Sequence, residues 1–326
     1  MRLATVRRMN LQQRRRGRCR LAVQVFPPRT PAFGGRTLGS KPMTLESATT
    51  TRSKRNATSP QRRLIMTVGD KGGSGKSFFT RALVGIHFAA STADMLLIDG
   101  DSTVGTLVKF FGERAAVEPY SLHGKLDERD RLINELLCRG ARLVIVDMPA
   151  TSLTRLREIS ADYDFVAAAE GAGYRLTVVS PITPYDDSIL DLQETIALFD
   201  SERFATFNDR NPAGAHPDAG AVTLAVPARV DYVAVVNLGL SEDRTDFALW
   251  DEPNAYTRRL FEFVGGVQID LPAMRPRIAA LLQKHRLSFA DGETSDCLSV
   301  TDRGRLQRWN MAVTQSLRGA TERLGL

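Results

Sequence analysis

Hydrophobic residues form short continuous runs from residue 62 onward, and longer segments with apolar residues at helical spacing separate these runs. The runs consist mostly of Val, Ile and Leu with little alternation, which is typical of strands buried on both faces. The predicted strands are 64–68, 95–99, 141–147, 177–182, 230–237 and 266–272. Helices are predicted from Lys76 to about Ala90, from near Thr103, from Asp186 to Phe199, and after Met274. Strands that alternate with helices predict an α/β fold with a mostly parallel β-sheet covered by helices on both faces.

Near the C-terminus, Leu306, Trp309, Val313 and Leu317 recur at helical spacing. A membrane-targeting helix would be basic on its polar face and would end in bulky apolar residues. This stripe is narrow, which predicts a helix that packs on the sheet. The same segment begins with three arginines, Arg303, Arg305 and Arg308. We interpret them as a solvated helix start, and contact with DNA phosphates is the alternative.

The first apolar run leads into the segment GDKGGSGKSFF, residues 69–79. The phosphate-binding pattern G-x-x-x-x-G-K-[ST] ends correctly at Gly75, Lys76 and Ser77, but Asp70 stands where the pattern has its first glycine. A strand that runs through glycines into a helix offers backbone N–H groups and the helix N-terminus to an anion. In this pattern the lysine reaches the β- and γ-phosphates and the hydroxyl binds Mg²⁺. The sequence therefore predicts a P-loop NTPase.

Acidic residues end two of the later apolar runs. LLIDGD closes the second run with Asp99 and continues to Asp101, and VIVDMPA closes the third run with Asp147. A lone aspartate in such a place caps the next helix in many proteins. Three aspartates in this order at the ends of predicted strands argue against capping alone and favour a functional role.

The stretch KGGSGKS, residues 71–77, resembles the deviant Walker A loop, K-G-G-x-G-K-[ST], of the ParA/MinD family of ATPases. In that family the residue before the first lysine need not be glycine, so Asp70 fits the pattern. The resemblance implies ATP and Mg²⁺ as cofactors and an ATP-dependent homodimer. It also implies that Lys71 reaches across the dimer to the partner's phosphates, where its charge would make ATP favour association.

The resemblance assigns roles to individual residues. It implies that Lys71, Lys76 and Asp101 are catalytic, with Asp101 orienting the attacking water. Ser77, Asp99 and Asp147 are implied at the Mg²⁺ ion, Asp147 through a water. Implied nucleotide contacts are Lys71, Gly72, Gly73, Ser74, Gly75, Lys76, Ser77 and Phe78 in the loop, Asn237 at the adenine, and Pro272 in the loop past the base.

One residue departs from the family pattern. Phe78 stands where many relatives have a second Thr or Ser that touches the α-phosphate. Its backbone N–H can still bind phosphate, but the side-chain contact is lost. The pair Asp186–Asp187 lies outside the family motifs, and we interpret it as the N-cap of the helix that follows.

Charge is unevenly distributed along the 326 residues. Residues 1–63 hold 16 Lys and Arg against the single acid Glu46, and the remainder holds 28 basic and 36 acidic residues. We therefore predict that residues 1–61 form a disordered basic tail. Three interpretations are open: an organelle-targeting segment, a nucleic-acid-binding arm, or a segment that is absent from the native protein because the true start is Met43. Residues 62–326 predict the ATPase domain. The three scattered cysteines fit a cytoplasmic protein, and no apolar run has the length of a membrane span.

The leading functional prediction is a ParA/MinD-like ATPase that hydrolyses ATP slowly and uses an ATP-dependent dimer to position cargo. The sequence after Asp147 resembles the plasmid transfer and stability proteins of TraL/StbB type within that family. This implies an unidentified partner protein, with plasmid DNA or transfer machinery as cargo and non-specific DNA binding as a further expectation. Two alternatives are open: a metabolic ligase of the same fold, of dethiobiotin- or cobyrinate-synthase type, and an adaptor that binds ATP without hydrolysing it.

Overall fold

The computed structural model describes residues 62–90, 94–101, 105–122, 130–134, 140–211, 228–241, 243–253 and 255–326, all within one compact unit. The predicted basic tail, residues 1–61, lies outside the described residues. Thr103, the predicted start of the second helix, also lies outside them.

The described residues contain a seven-stranded sheet in the order β3-β2-β4-β1-β5-β6-β7, and every neighbouring pair is parallel. The strands are β1 Arg62–Thr67, β2 Met95–Asp99, β3 Val117–Pro119, β4 Leu143–Asp147, β5 Tyr174–Ile182, β6 Val230–Asn237 and β7 Val267–Leu271. The predicted parallel α/β fold is confirmed. All six predicted strands are present, with ends within three residues of the predicted ones. The sequence pattern missed β3, which has only three residues and no continuous apolar run.

Helices connect the strands. The α-helices whose bounds lie within the described residues are α1 Lys76–Ala89, α2 Thr106–Phe111, α3 Ser152–Asp162, α4 Phe165–Gly171, α5 Asp186–Phe199, α6 Ser201–Arg210, α7 Ala248–Asp251, α8 Tyr256–Phe263, α9 Pro276–His285, α10 Phe289–Gly292, α11 Val300–Leu317 and α12 Thr321–Leu324. Residues 131–134 are also helical. Short 3₁₀ turns occupy Leu238–Leu240, Arg244–Phe247 and Arg318–Ala320. Helix α5 has the predicted bounds, and α1 ends one residue before the predicted end.

Two hydrophobic layers cover the sheet, one on each face. Because side chains alternate along a strand, Leu64 and Met66 of β1 pack into one layer and Ile65 into the other. The first layer includes side chains from α3 to α6 and α8, and the second includes side chains from α1, α2 and α9 to α12. Helices therefore cover both faces, as expected for a sheet of continuous Val, Ile and Leu.

Helix α11 packs on the sheet with the predicted residues. Leu306, Trp309, Val313 and Leu317 are all buried in the second layer, so the predicted stripe is confirmed. No helix among the described residues has both the length and the hydrophobicity needed to cross a membrane.

Candidate nucleotide site

The phosphate-binding loop leaves the carboxyl end of β1, which lies at the centre of the sheet between β4 and β5. From β1 the chain goes to β2 on one side of the sheet, and after β4 it crosses to β5 on the other side. Ligands of open parallel sheets bind at such a reversal, outside the carboxyl ends of the strands. Residues from these strand ends line this position.

The end of the loop is held against β6. Gly75 precedes α1 with φ of 100°, a left-handed conformation that favours glycine. The Asn237 side chain, at the end of β6, donates a hydrogen bond from Nδ2 to the Ser74 carbonyl at 3.0 Å. A Cβ on Gly75 would lie 2.2 Å from that Nδ2 atom. Both the backbone angle and the close amide therefore require glycine at this position.

The start of the loop is held by two carboxylates. The Asp191 Oδ2 atom, on α5, accepts hydrogen bonds from the backbone N–H of Asp70 at 2.8 Å and of Lys71 at 3.4 Å. Asp70 in turn accepts a hydrogen bond from the Leu153 N–H at 2.6 Å and one from the Thr154 hydroxyl at 3.1 Å. The aspartate that replaces the expected glycine thus binds the N-terminal turn of α3 to the loop.

Lys76 lies inside the loop. It is 6% exposed, and its Nζ donates a hydrogen bond to the Lys71 carbonyl at 2.7 Å. Burial lowers the pKa of Lys76, while the nearby carboxylates, first that of Asp147, act in the opposite direction. The ammonium group is therefore buried and bonded to a neutral carbonyl of its own loop.

Asp147 is fully buried at the end of β4. Its Oδ1 accepts hydrogen bonds from the hydroxyls of Thr67 at 3.2 Å and Thr80 at 3.3 Å, and the Ser77 side chain also bonds to the carboxylate. Its Oδ2 atom is buried without a hydrogen-bond partner among the described residues. Burial raises the pKa of Asp147 to about 6, against the effect of these hydroxyls. The carboxylate therefore lies beside Ser77 with one oxygen available.

Asp99 contacts the backbone at the start of α2. Its carboxylate accepts hydrogen bonds from the N–H groups of Asp101 at 3.3 Å and Val108 at 3.0 Å. Burial raises the pKa of Asp99, and these backbone hydrogen bonds lower it. Gly100, which lies between Asp99 and Asp101, donates its backbone N–H to the Asp147 carbonyl at 2.8 Å. A Cβ on Gly100 would lie 2.6 Å from that carbonyl oxygen. Gly100 thus lets the ends of β2 and β4 approach closely, and the side chain of Asp101 is partly exposed.

Lys71 lies on the outer side of the loop, and α5 supplies its partner. Its Nζ is 2.5 Å from Asp187 Oδ2 and 4.4 Å from the centre of the Tyr185 ring. The predicted N-cap role of the Asp186–Asp187 pair is wrong. The cap position is Tyr185, the two aspartates occupy the first helical turn, and no side chain caps the helix.

Sequence reasoning missed Asp187 and Asp191 as members of the site. They lie more than 100 residues after the loop and reach it only because β5 pairs with β1. Their sole signal in the sequence is two acids in the first turns of a helix after a buried strand, a pattern that helix N-termini share generally.

Asn237 and Pro272, the two residues predicted to lie near the adenine base, follow neighbouring strands of the sheet. Besides bonding to Ser74, Asn237 accepts a hydrogen bond from the Gly239 N–H at 3.1 Å. Pro272 directly follows β7, the strand that pairs with β6.

Phe78 is partly buried in an aromatic cluster with Phe289 and Trp309, with ring centres 5.1 and 5.6 Å away.

The residues present fit the Mg²⁺ ion of a P-loop site. The Ser77 hydroxyl bonds to the Asp147 carboxylate, and the Oδ2 atom of that carboxylate has no partner among the described residues. A hydroxyl and a carboxylate are donor types that Mg²⁺ takes together with phosphate oxygens. Among the described residues, no group of three His, Cys, Asp or Glu side chains forms a metal site of its own. Phosphate oxygens and water would supply the remaining ligands.

Comparison with known proteins gives structural likenesses only. No protein-family model and no curated protein sequence matches the chain. A MinC:MinD cell division protein complex from Aquifex aeolicus is similar at 13% identity and a TM-score of 0.41, over 78% of this chain and 96% of that chain. A nucleotide-binding protein in complex with ADP from Archaeoglobus fulgidus is similar at 18% identity and a TM-score of 0.37, over 77% and 88%. At these TM-scores neither likeness carries an argument about function, and the P-loop NTPase fold rests on the sheet and loop described above.

Proposed function

We propose that this chain is a ParA/MinD-like ATPase that binds ATP with Mg²⁺, associates into a homodimer in the ATP-bound state, and hydrolyses ATP slowly. The observation that carries the proposal is the buried Lys76, whose ammonium bonds to the carbonyl of its own loop. A phosphate oxygen would compete for this ammonium with a full negative charge, and a charge-assisted hydrogen bond is stronger than one to a neutral carbonyl.

Phosphate binding relies on the backbone of the loop. Contacts from β6, α3 and α5 fix its shape at both ends, so little ordering remains to be done when nucleotide binds. Ser77 and Asp147 would hold Mg²⁺, which neutralises charge on the β- and γ-phosphates when it is bound.

Hydrolysis needs a group that orients water at the γ-phosphate. Asp101 follows β2, next to the strand that ends in Asp147, and its side chain is partly exposed. We assign the water-orienting role to Asp101. Asp99 is assigned to positioning, because its carboxylate holds the backbone of Asp101 and the start of α2.

Dimer formation depends on Lys71. Its side chain is 35% exposed and that of Asp187 is 47% exposed, so their ion pair is a surface pair worth at most about 1 kcal/mol. The lysine can therefore leave Asp187 at small cost when a second subunit presents a nucleotide triphosphate. In the proposed dimer the ammonium moves from a carboxylate of its own chain to a phosphate of the partner.

The test is the molecular mass in solution by light scattering, with ATP–Mg²⁺ and with ADP. The full chain is expected to dimerise with ATP–Mg²⁺ only, and Lys71→Ala is expected to stay monomeric while it still binds ATP. Lys109→Ala, which removes a lysine from α2 outside the loop, is the matched control and should dimerise normally.

Either of two results would contradict the dimer proposal. A Lys71→Ala variant that dimerises with ATP would remove the role of this lysine. A wild-type chain that stays monomeric in both nucleotides would favour the metabolic ligase of the same fold, and a search for a carboxylate substrate would follow.

A further inference from the structure

Phe78, Phe289 and Trp309 form a three-ring cluster beside the phosphate-binding loop. The Phe78 ring contacts the rings of Phe289 and Trp309 edge-on, and the centres of the latter two lie 4.8 Å apart. Phe78 directly follows Ser77 at the start of α1, whereas Trp309 lies in the middle of α11. The cluster thus joins the C-terminal helix to the helix that begins at the phosphate site.

Trp309 also contacts the loop after β7. It is 6% exposed, and its Nε1 donates a hydrogen bond to the Pro272 carbonyl at 2.8 Å. A buried indole N–H requires such an acceptor, so this bond fixes the position of the ring and the carbonyl together. One indole therefore packs against the phosphate-side helix through Phe78 and holds the base-side loop through Pro272.

The loop after β7, which begins at Pro272 and is the predicted base-side loop, borders a cavity next to Trp309. A cavity of about 280 Å³ is lined by Pro272–Arg275, by Ile278 of α9, and by Trp309 with its α11 neighbours Arg305, Leu306 and Arg308. On the other side of the loop, Ala273 lies close to Gly239, which Asn237 holds. The loop thus lies between the Asn237 turn and α11, and Trp309 is its hydrogen-bonded support on the α11 side.

We propose that Trp309 is a positioning residue of the nucleotide site, which sets the base-side loop relative to the phosphate loop. This inference rests on the proposed function and goes beyond it, because it makes the C-terminal helix part of the nucleotide site. It also explains Phe78: the ring that replaces a hydroxyl at this position contributes packing to the same support. Binding of the nucleoside part of the ligand is therefore expected to depend on Trp309, whereas binding of the phosphates is expected to depend on the phosphate loop.

The experiment compares two ligands that share phosphates and differ in the nucleoside. Affinities of the full chain for ADP and for inorganic tripolyphosphate, each with Mg²⁺, are measured by titration calorimetry. Trp309→Phe keeps an aromatic ring and removes the N–H donor. Its affinity for ADP is expected to fall about five- to tenfold, the effect of one hydrogen bond, with tripolyphosphate affinity within about twofold of wild type.

Val313→Ala is the matched control. Val313 is buried one turn further along α11 and is not among the residues around Pro272, so its truncation loosens the same helix without removing the bond. The control should unfold at lower denaturant concentration and keep the wild-type ratio of the two affinities. An equal loss of both ligands in Trp309→Phe, or no loss of ADP affinity, would overturn the inference.

If the Trp309→Phe variant does not fold, the fluorescence of Trp309 itself tests the inference. The chain has two tryptophans, Trp250 and Trp309, so Trp250→Phe leaves Trp309 as the single indole emitter. ADP is expected to change its emission and tripolyphosphate to leave it unchanged. The same response to both ligands would overturn the inference. A wild-type chain that binds neither ligand would overturn the proposed function itself, so the two failures are distinguishable.

Discussion

At the amino ends of its strands, the sheet holds the carboxylate of Asp231 between two arginines, whereas at the carboxyl ends it holds Asp147 among hydroxyls. Asp231 accepts hydrogen bonds from Arg63 at 2.6 Å and from Arg175 at 2.9 Å. Burial alone would raise the pKa of Asp231, but the bonds to Arg175 and Arg63 outweigh burial and lower it. The pKa of Asp147, in contrast, is raised to about 6 by burial.

The cations at the two ends of the strands also differ in their partners. We call the two ends the amino edge and the carboxyl edge of the sheet. At the amino edge, Arg63 also donates to Thr177 at 3.0 Å, and Thr177 donates to the Arg323 carbonyl at 2.7 Å. At the carboxyl edge, the buried Lys76 bonds to a backbone carbonyl and has its pKa lowered by burial. The buried charges at the amino ends of the strands are paired with opposite charges, whereas Lys76 and Asp147 at the carboxyl ends are buried with neutral hydrogen-bond partners. We therefore predict that the charges at the amino ends of the strands support stability and that those at the carboxyl ends support binding.

Removing Asp231 should give the largest loss of stability. Asp231→Ala leaves two partly buried arginines without their carboxylate, which is expected to lower the free energy of unfolding by about 3 kcal/mol. Chemical denaturation measures this loss, and calorimetry should show ADP affinity unchanged. Glu158→Ala, which breaks the exposed pair with Arg155, is the control and should cost less than about 0.5 kcal/mol. A loss of ADP affinity in Asp231→Ala would contradict the separation of the two edges.

Lys76→Met should show the opposite pattern. The variant keeps most of the side-chain volume and removes an ammonium that burial disfavours, so the nucleotide-free protein is expected to be at least as stable as wild type. Affinity for ATP–Mg²⁺ should fall roughly a hundredfold, because charge-assisted hydrogen bonds to phosphate are lost. Denaturation and calorimetry on the same sample give both numbers. A clearly destabilised variant would show that Lys76 supports the fold and would place it with the amino-edge charges.

The sequence predicts the elements of the carboxyl edge that follow directly from a strand. Lys76, Ser77, Asp99 and Asp147 each lie within a short motif at the end of an apolar run, so local spacing is sufficient to predict that they end or closely follow strands. The helical spacing of the α11 stripe likewise predicts its burial.

The partners across the sheet could not be predicted in this way. Asp191 holds the loop only because β5 is the neighbour of β1, and the order of parallel strands is not encoded in any local pattern. The same holds for Thr67 and Thr80, whose hydroxyls acquire a role only when β4 brings Asp147 beside them. Strand β3 escapes prediction because three residues are too few to show a period.

His87 offers a test of the amino edge through pH. It is buried near the end of α1, and its Nε2 lies 3.0 Å from the Leu324 carbonyl. Burial lowers the pKa of His87 to about 4, against the effect of that carbonyl. Since the unfolded chain takes up a proton near pH 6.5 and the folded chain only near pH 4, stability is lost as pH falls through that window. The contribution of this group between pH 7 and pH 5 is about 2 kcal/mol.

His87→Gln removes the titrating group, so its stability should fall less than that of wild type between pH 7 and pH 5. The measurement is chemical denaturation of both proteins at each pH, and the difference between the two pH profiles separates the titration of His87 from that of the carboxylates, which both proteins share. Parallel pH profiles for the two proteins would contradict the assignment of a buried, neutral imidazole.

The smallest effect is expected at the outer side of the phosphate loop. Asp187→Asn removes the charge that holds Lys71 in its own subunit and keeps the shape of the side chain. The ATP-bound dimer should then form at a protein concentration about fivefold lower, because each of the two subunits no longer gives up an exposed ion pair worth about 0.5 kcal/mol when its lysine binds the partner's phosphate. Light scattering against protein concentration measures the shift, and Asp186→Asn, one residue earlier on the same turn, is the control. A weaker dimer in Asp187→Asn would show that this carboxylate supports the dimer rather than competes with it.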